Sequence, residues 1–470
     1  MIIPAIPDFI VDFGIAYNTS SWILASYLIA GAVMTPIAGK LSDIYGKKRV
    51  MVVIMAIYAF GTLIGGLSTS ISVITIARVI QGIGMSIFPI AFGVIRDKFP
   101  ESKLAIGQAI FTAVFAGGSV VGLAVGATII ENYGWPTTFL SIVPIALGLL
   151  VIILRFVHVS SDKALQVARQ DKKSEKGDGG RRQKIDIKGA IALTVTISSF
   201  LISLTLTADS FEETAGARQQ DRLTILVLLY LLAVTSLFIF LLIEKRAAAK
   251  NAAPLIDLKL LKDKILLPTN ILIMTIGSSI FMIYQALPIL IRSPAPAGFN
   301  GGALDVANVQ LPFMVITLIV SVLSGFLISK LGNLKPTIIG CIISTIGFFM
   351  LFFYHSTELE ITLNLSVIAV GLSLAEVGAF NIALIAAPRH LSGISLGITV
   401  LLFFIGMSVG PAISGLYLET FQHNIGGITF PSPLSYDMIF LTAVLISVSS
   451  VFLAVMITWN LRLTIYTQIE

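Results

Sequence analysis

The chain has 470 residues, 56% of them hydrophobic and 12% charged, with a mean hydropathy of +0.95. Soluble domains carry roughly 25% charged residues, so this chain lacks the charge to cover a soluble surface of its size. The composition excludes a soluble enzyme, a disordered chain and a disulfide-stapled secreted domain, since 29 phenylalanines accompany a single cysteine, Cys341. An all-α integral membrane protein remains.

In chain order, the first ten residues (MIIPAIPDFI) are apolar, too short to cross a bilayer, and without the basic flank and cleavage site of a signal peptide. They read as the outer end of a first helix, truncated at its N-terminus. Apolar runs long enough to span, about 20 residues each, follow at 20–39, 50–69, 72–95, 104–129, 137–157, 187–207 and 223–243. Six more lie at 266–291, 307–329, 336–354, 361–386, 394–418 and 437–460. The thirteen full spans and the partial first one make fourteen helices, and their length excludes the short alternating strands of an outer-membrane barrel.

Lys and Arg set the orientation. Of the 31, 27 fall in one set of loops or at the C-terminal end, whereas the opposite loops hold only Arg218, Arg222 and Arg292. By the positive-inside rule the basic loops and the C-terminus face the cytoplasm of a plasma-membrane protein. The net charge of +6 is therefore a topology signal, and no nucleic-acid partner is expected. The basic stretch 158–188, rich in Lys, Ser, Asp and Gly, reads as a flexible linker. The four histidines are scattered, with no metal-ligand spacing, and neither a catalytic triad pattern nor a P-loop occurs. No metal, no cofactor and no enzymatic activity are predicted.

An internal repeat organises the chain. Gly39-Lys-Leu-Ser-Asp-Ile-Tyr-Gly46 and Gly325-Phe-Leu-Ile-Ser-Lys-Leu-Gly332 share G-x-L-x-x-x-x-G at an offset of 286 residues. Ser102-Lys-Leu-Ala-Ile-Gly107 matches Ser392-Gly-Ile-Ser-Leu-Gly397, and Gly118, Gly122 and Gly126 match Gly406, Gly410 and Gly415 at offsets near 288. Two homologous halves follow, residues 1–157 and 265–470, with the linker and an inserted helix pair (158–264) between them.

GKLSDIYGKKRV (39–50) resembles the loop signature of the major facilitator superfamily, and ARVIQGIG (77–84) resembles its Arg-containing motif. Gly118-x-x-x-Gly122-x-x-x-Gly126 resembles an antiporter glycine motif, and with the inserted pair the whole chain resembles the fourteen-helix drug:proton antiporter family. Ile44 stands where that family usually has Arg, and Leu123 where it has Pro, while the second half keeps Gly410-Pro411. The resemblance implies a major facilitator fold and a conformational latch built from Gly39, Asp43, Gly46, Lys47 and Asp97. In that latch Asp43 faces the N-terminus of the helix starting near Ser392, and Lys47 pairs with Asp97. Gly118, Gly122, Gly126, Gly410 and Pro411 are expected on helix-packing faces.

Two ionisable residues lie well within apolar spans, Arg78 and Glu376. A charge at bilayer depth costs about 2.5–3.5 kcal/mol on insertion scales, so it faces a cavity or a partner. Both are candidates for proton coupling, and by the resemblance both would line one central path. Gln81 shares the Arg78 face; with Gln285, before Pro288, and Asn381 it is a candidate substrate contact. The expected function is secondary active export of drug-like or amphiphilic small molecules, coupled to protons, by a monomer in the lipid bilayer. A proton-coupled or facilitative metabolite transporter, and a non-transporting membrane sensor on the same scaffold, are the alternatives.

Overall fold

A computed structural model describes residues 2–98, 104–157, 187–209, 217–249, 260, 262–295, 298–386, 392–425 and 428–469. The linker expected at 158–188 lies almost wholly outside the described residues. After a short 3-10 turn at Ile3–Ala5 come α1 (Ile6–Phe13), α2 (Tyr17–Tyr45), α3 (Lys47–Gly66), α4 (Ile71–Gly82), α5 (Ile87–Lys98), α6 (Leu104–Tyr133) and α7 (Trp135–Phe156). The inserted pair is α8 (Ile187–Asp209) and α9 (Ala217–Ala249). The second half holds α10 (Leu266–Arg292), α11 (Ala303–Leu331), α12 (Leu334–Phe353), α13 (Glu358–Ala386), α14 (Ser392–Thr420) and α15 (Pro433–Ile469). The hairpin β1 (Gln422–Ile425) and β2 (Ile428–Pro431) joins α14 to α15.

Among the described residues, twelve helices are long and apolar enough to cross a membrane, and α8 adds a shorter apolar helix, Lys188–Leu204. Helices of this number, length and hydropathy make the chain a multi-pass membrane protein. Its outer faces carry large apolar side chains such as Phe60, Phe156, Leu228 and Phe238, which suits a surface solvated by lipid.

Local sequence explains the breaks between helices. Gly46 ends α2 with φ +93° and Gly332 ends α11 with φ +77°, so the second glycine of both repeat motifs occupies a backbone region that side chains resist. The span predicted at 72–95 is interrupted by a 3-10 turn, Ile83–Ser86, between α4 and α5. There Gly82 comes so near α2 that an added Cβ would collide with the Tyr27 carbonyl.

The two halves meet along α2 against α14 and along α6 against α11, pairs that the repeat relates to one another. Within the second half α10 packs most extensively on α14. The inserted α8 lies against α14 and α2, and α9 packs on α8 at the periphery. Only 17% of the α9 span window is buried, against 72% for α13 and α14. The central helices therefore belong to the two halves, and that is where a path can form. The stretch read as the end of a first helix forms the 3-10 turn Ile3–Ala5 and runs on into α1 as far as Phe13, and it is packed: Ile6 and Phe9 are fully buried, and Phe9 meets the Trp135 ring edge-on.

Candidate functional site

The helix crossings leave a cavity of about 200 Å³ between the halves. Its wall is mostly apolar: Phe115 and Leu123 from α6, Phe281 and Tyr284 from α10, Phe313 from α11, and Phe403 and Met407 from α14. Ile3, from the turn before α1, also lines it. Ser119, Thr317, Ser321 and Ser373 add hydroxyls, and Glu376 of α13 supplies the one ionisable carboxylate of the lining. Among the described residues nothing donates a hydrogen bond to Glu376 and no cation pairs with it. An apolar chamber with a few polar groups and one acid can hold an amphiphile by its rings while the acid takes up a proton or meets a cationic end.

Arg78 stands elsewhere. Its Nε donates to the Ile23 carbonyl of α2 at 2.9 Å, Nη1 donates to Gln81 Oε1 at 3.0 Å, and the guanidinium lies 4.2 Å from the centre of the Tyr27 ring. Gln81 Nε2 in turn donates to Thr62 Oγ1 of α3 at 2.9 Å. The result is a buried hub that ties α2, α3 and α4, and its hydrogen bonds account for a cation held among apolar helices. Arg78 and Gln81 do not line the Glu376 cavity, which corrects the expectation of one shared path in this conformation.

The other two polar candidates also point away. Gln285, one residue past Tyr284, lies on a different face of α10, where its Nε2 donates to Ser20 Oγ of α2 at 3.0 Å. It links the two halves and is not part of the cavity wall. Asn381 donates back to the Val377 carbonyl of its own helix at 3.0 Å and is buried.

At the end of α2 near the basic loops, Lys47 Nζ donates to the Gly93 carbonyl of α5 at 2.9 Å. The side chains of Asp43 and Asp97 lie outside the described residues. Among the described residues, a Cβ on Gly39 or Gly118 would meet nothing within 4 Å, whereas one on Gly406 would strike the Met274 carbonyl and one on Gly410 the Ser278 carbonyl. The close glycine contact is thus between α14 and α10. Among the described residues no atom meets the Cβ position of Gly118, so the packing role expected of it is not seen in this structure. Pro411 continues α14 as an internal proline.

The opposite end of the bundle carries contacts that sequence reasoning missed. Glu131, near the end of α6, accepts from the backbone N–H of Ala303, the first residue of α11, at 3.0 Å. Glu419, near the end of α14, accepts from the N–H of Tyr17, the first residue of α2, at 3.1 Å. Glu131 and Glu419 are 288 residues apart, and Tyr17 and Ala303 are 286 apart. One contact is the repeat image of the other, each joining a carboxylate of one half to a helix N-terminus of the other half. Such a terminus has N–H groups without intrahelical partners and the positive end of the helix dipole, so a carboxylate is well placed there. Arg292 at the end of α10 adds a bidentate pair with Asp8 of α1, at 2.6 and 2.8 Å, and Trp135 Nε1 donates to Asp12 at 2.8 Å. The repeat offset was the signal that could have found the two glutamates.

Comparison with known proteins agrees with this geometry. The family model described as Major Facilitator Superfamily matches residues 1–411. The multidrug resistance protein 3 of Bacillus subtilis (strain 168) is 28% identical over 349 residues, covering 74% of this chain and 61% of that protein. The multidrug resistance protein Stp of Mycobacterium tuberculosis (strain CDC 1551 / Oshkosh) is 27% identical over 421 residues, 88% of this chain and 71% of that protein. The tetracenomycin C resistance and export protein of Streptomyces glaucescens is 26% identical over 408 residues, 85% of this chain and 69% of that protein. The chain thus spans about 61–71% of the length of these relatives. Among solved structures, that of the human organic anion transporter MFSD10 (TETRAN) superposes with a TM-score of 0.60 at 12% identity, covering 96% of this chain and 89% of that one. At that identity the likeness concerns the fold.

Proposed function

The chain belongs to the Major Facilitator Superfamily, and from that premise we propose that it exports amphiphilic, drug-like small molecules in exchange for protons. The observation that carries this reading is Glu376, the one carboxylate on the wall of an aromatic cavity between the halves, with no bonded partner among the described residues. The names of the relatives, multidrug resistance and export proteins, support the choice of substrate class.

The mechanism is alternating access, with the halves rocking about the cavity. A proton on Glu376 neutralises it and lowers the cost of an empty, lipid-buried cavity; a lipophilic cation favours the charged form and so displaces the proton. Coupling arises because each ligand prefers a different state. The caps at Glu131 and Glu419 hold the halves together at the face remote from the basic loops, and they must part when that face opens. In this reading the protein lies in the plasma membrane with its C-terminus in the cytoplasm, and it works as a monomer.

Inverted membrane vesicles with an acid interior provide the test. Adding lipophilic cations should collapse the pH gradient with the wild-type chain and leave it standing with Glu376→Gln. Collapse retained in the mutant would take proton coupling away from Glu376. A wild-type protein that is folded yet silent to every amphiphile would overturn drug export and favour metabolite transport.

A further inference from the structure

We propose that Gln310 and the small void beside it form a second subsite, one that takes the hydroxyl end of an amphiphilic substrate whose cationic end meets Glu376. The inference rests on the export reading above and adds to it a chemical class: lipophilic cations that carry a hydroxyl.

Gln310 lies on α11 and is 1% exposed, yet among the described residues neither Oε1 nor Nε2 has a hydrogen-bond partner. A buried amide left so forfeits the hydration of both groups, and in folded proteins such groups nearly always have a partner. A void of about 10 Å³ borders it, lined by Ile280, Ile283, Tyr284, Leu287, Phe313 and Leu365 besides Gln310 itself. That is about the space of one water molecule. The rest of this lining is aliphatic or aromatic carbon apart from the Tyr284 hydroxyl, so any polar atom entering has Gln310 as its natural partner.

The void is also next to the candidate cavity. Ile280, Tyr284 and Phe313 line both spaces and form the wall between them. Tyr284 and Phe313 meet edge-to-face with ring centres 6.1 Å apart, and rotation of either ring is the movement the subsite requires to join the two spaces. A hydroxyl is the smallest group on an organic molecule that suits a space of that size, since it donates to Oε1 and accepts from Nε2 through one oxygen. A carboxylate offers no donor, and an ammonium offers no acceptor. The site therefore selects hydroxyls by size and by the need to satisfy both ends of one amide. A pocket built this way discriminates strongly against the analogue that lacks the group, because the amide is then left with poorer partners.

The experiment uses the full chain in lipid nanodiscs and two probes, tetraphenylphosphonium and its derivative with one para-hydroxyl. Binding of each is measured by calorimetry for wild type, Gln310→Leu and the unbranched Gln310→Met. The wild type should favour the hydroxylated probe by about tenfold, the worth of a well-made hydrogen-bonded pair. In both variants that ratio should fall to about one. A wild-type ratio near one, or a ratio retained in a folded variant, overturns the subsite and leaves the export reading standing. Failure of the wild type to bind either probe removes the export reading and the subsite with it. Having two variants guards against one that does not fold.

Discussion

Backbone conformation separates the glycines of the loop motif by kind. Gly46 and Gly332 need positive φ, whereas Gly39 sits in an ordinary helix with space around it. Gly46→Ala and Gly332→Ala should each destabilise the protein by about 1–2 kcal/mol, read as a lower thermal midpoint in detergent, while Gly39→Ala should leave the midpoint unchanged. Arg78 offers a second check. Its fork serves the Ile23 carbonyl and Gln81 together, which one compact ammonium cannot do. Arg78→Lys should cost about 2 kcal/mol in the same measurement, the scale of a lost hydrogen bond to a charged group. At this scale Arg78 and Glu376 were legible, since a charge in an apolar run is conspicuous. Gln310 was not: one amide in a span reads as an ordinary packed side chain until its missing partners are seen.

Among the helices, α14 and α10 approach closely through glycines. Met274 and Ser278 present carbonyls to Gly406 and Gly410, and Gly277 in turn lies against the Phe403 carbonyl. Gly406→Ala and Gly410→Ala should push the helices apart at a cost of about 1–3 kcal/mol, and transport in vesicles should fall with them. Gly118→Ala is the control, since its Cβ would enter open space. The sequence showed the same glycine spacing in both halves and could not tell these outcomes apart. The difference lies in the neighbour: α10 packs extensively along α14, while the turn Ile3–Ala5 is what packs on α6 from the start of the first half. The spans themselves were read well because twenty apolar residues have few alternatives in a bilayer. The exception was the interrupted span, where the glycines around Ile83 open a 3-10 turn that hydropathy does not register. The hairpin after α14 was also missed, although Gly426-Gly427 between two apolar-flanked segments is a hairpin signal.

Across the whole molecule, the caps at Glu131 and Glu419 decide how easily the face remote from the basic loops opens. Each is a charged cap on a helix N-terminus, worth about 1 kcal/mol. Glu131→Gln or Glu419→Gln should therefore raise the open population about fivefold, and the double mutant about twenty-fivefold if the sites act independently. Cys341 is the single cysteine and is buried, so a cysteine introduced at Ile3 on the cavity wall would report opening. Its rate of labelling by an impermeant thiol reagent from that face should rise in those ratios, and unchanged labelling in the double mutant would dismiss the caps as a gate. Two-half architecture was legible from the offsets alone. The caps were not, because a glutamate at a helix end is commonplace in sequence, and only its repeat-related partner in space gives it meaning.

The matching of the two caps has a consequence for ancestry and assembly. Each half contributes one carboxylate and receives one on a helix N-terminus, so the interface is isologous in the sense used for twofold homodimers. Residue i of one half meets j of the other, while j's counterpart meets i's counterpart. A second-half unit facing a copy of itself would present Glu419 to the N-terminus of α11 and could satisfy both caps without the first half. The chain thus contains, within one polypeptide, the self-complementary surface of a symmetric dimer.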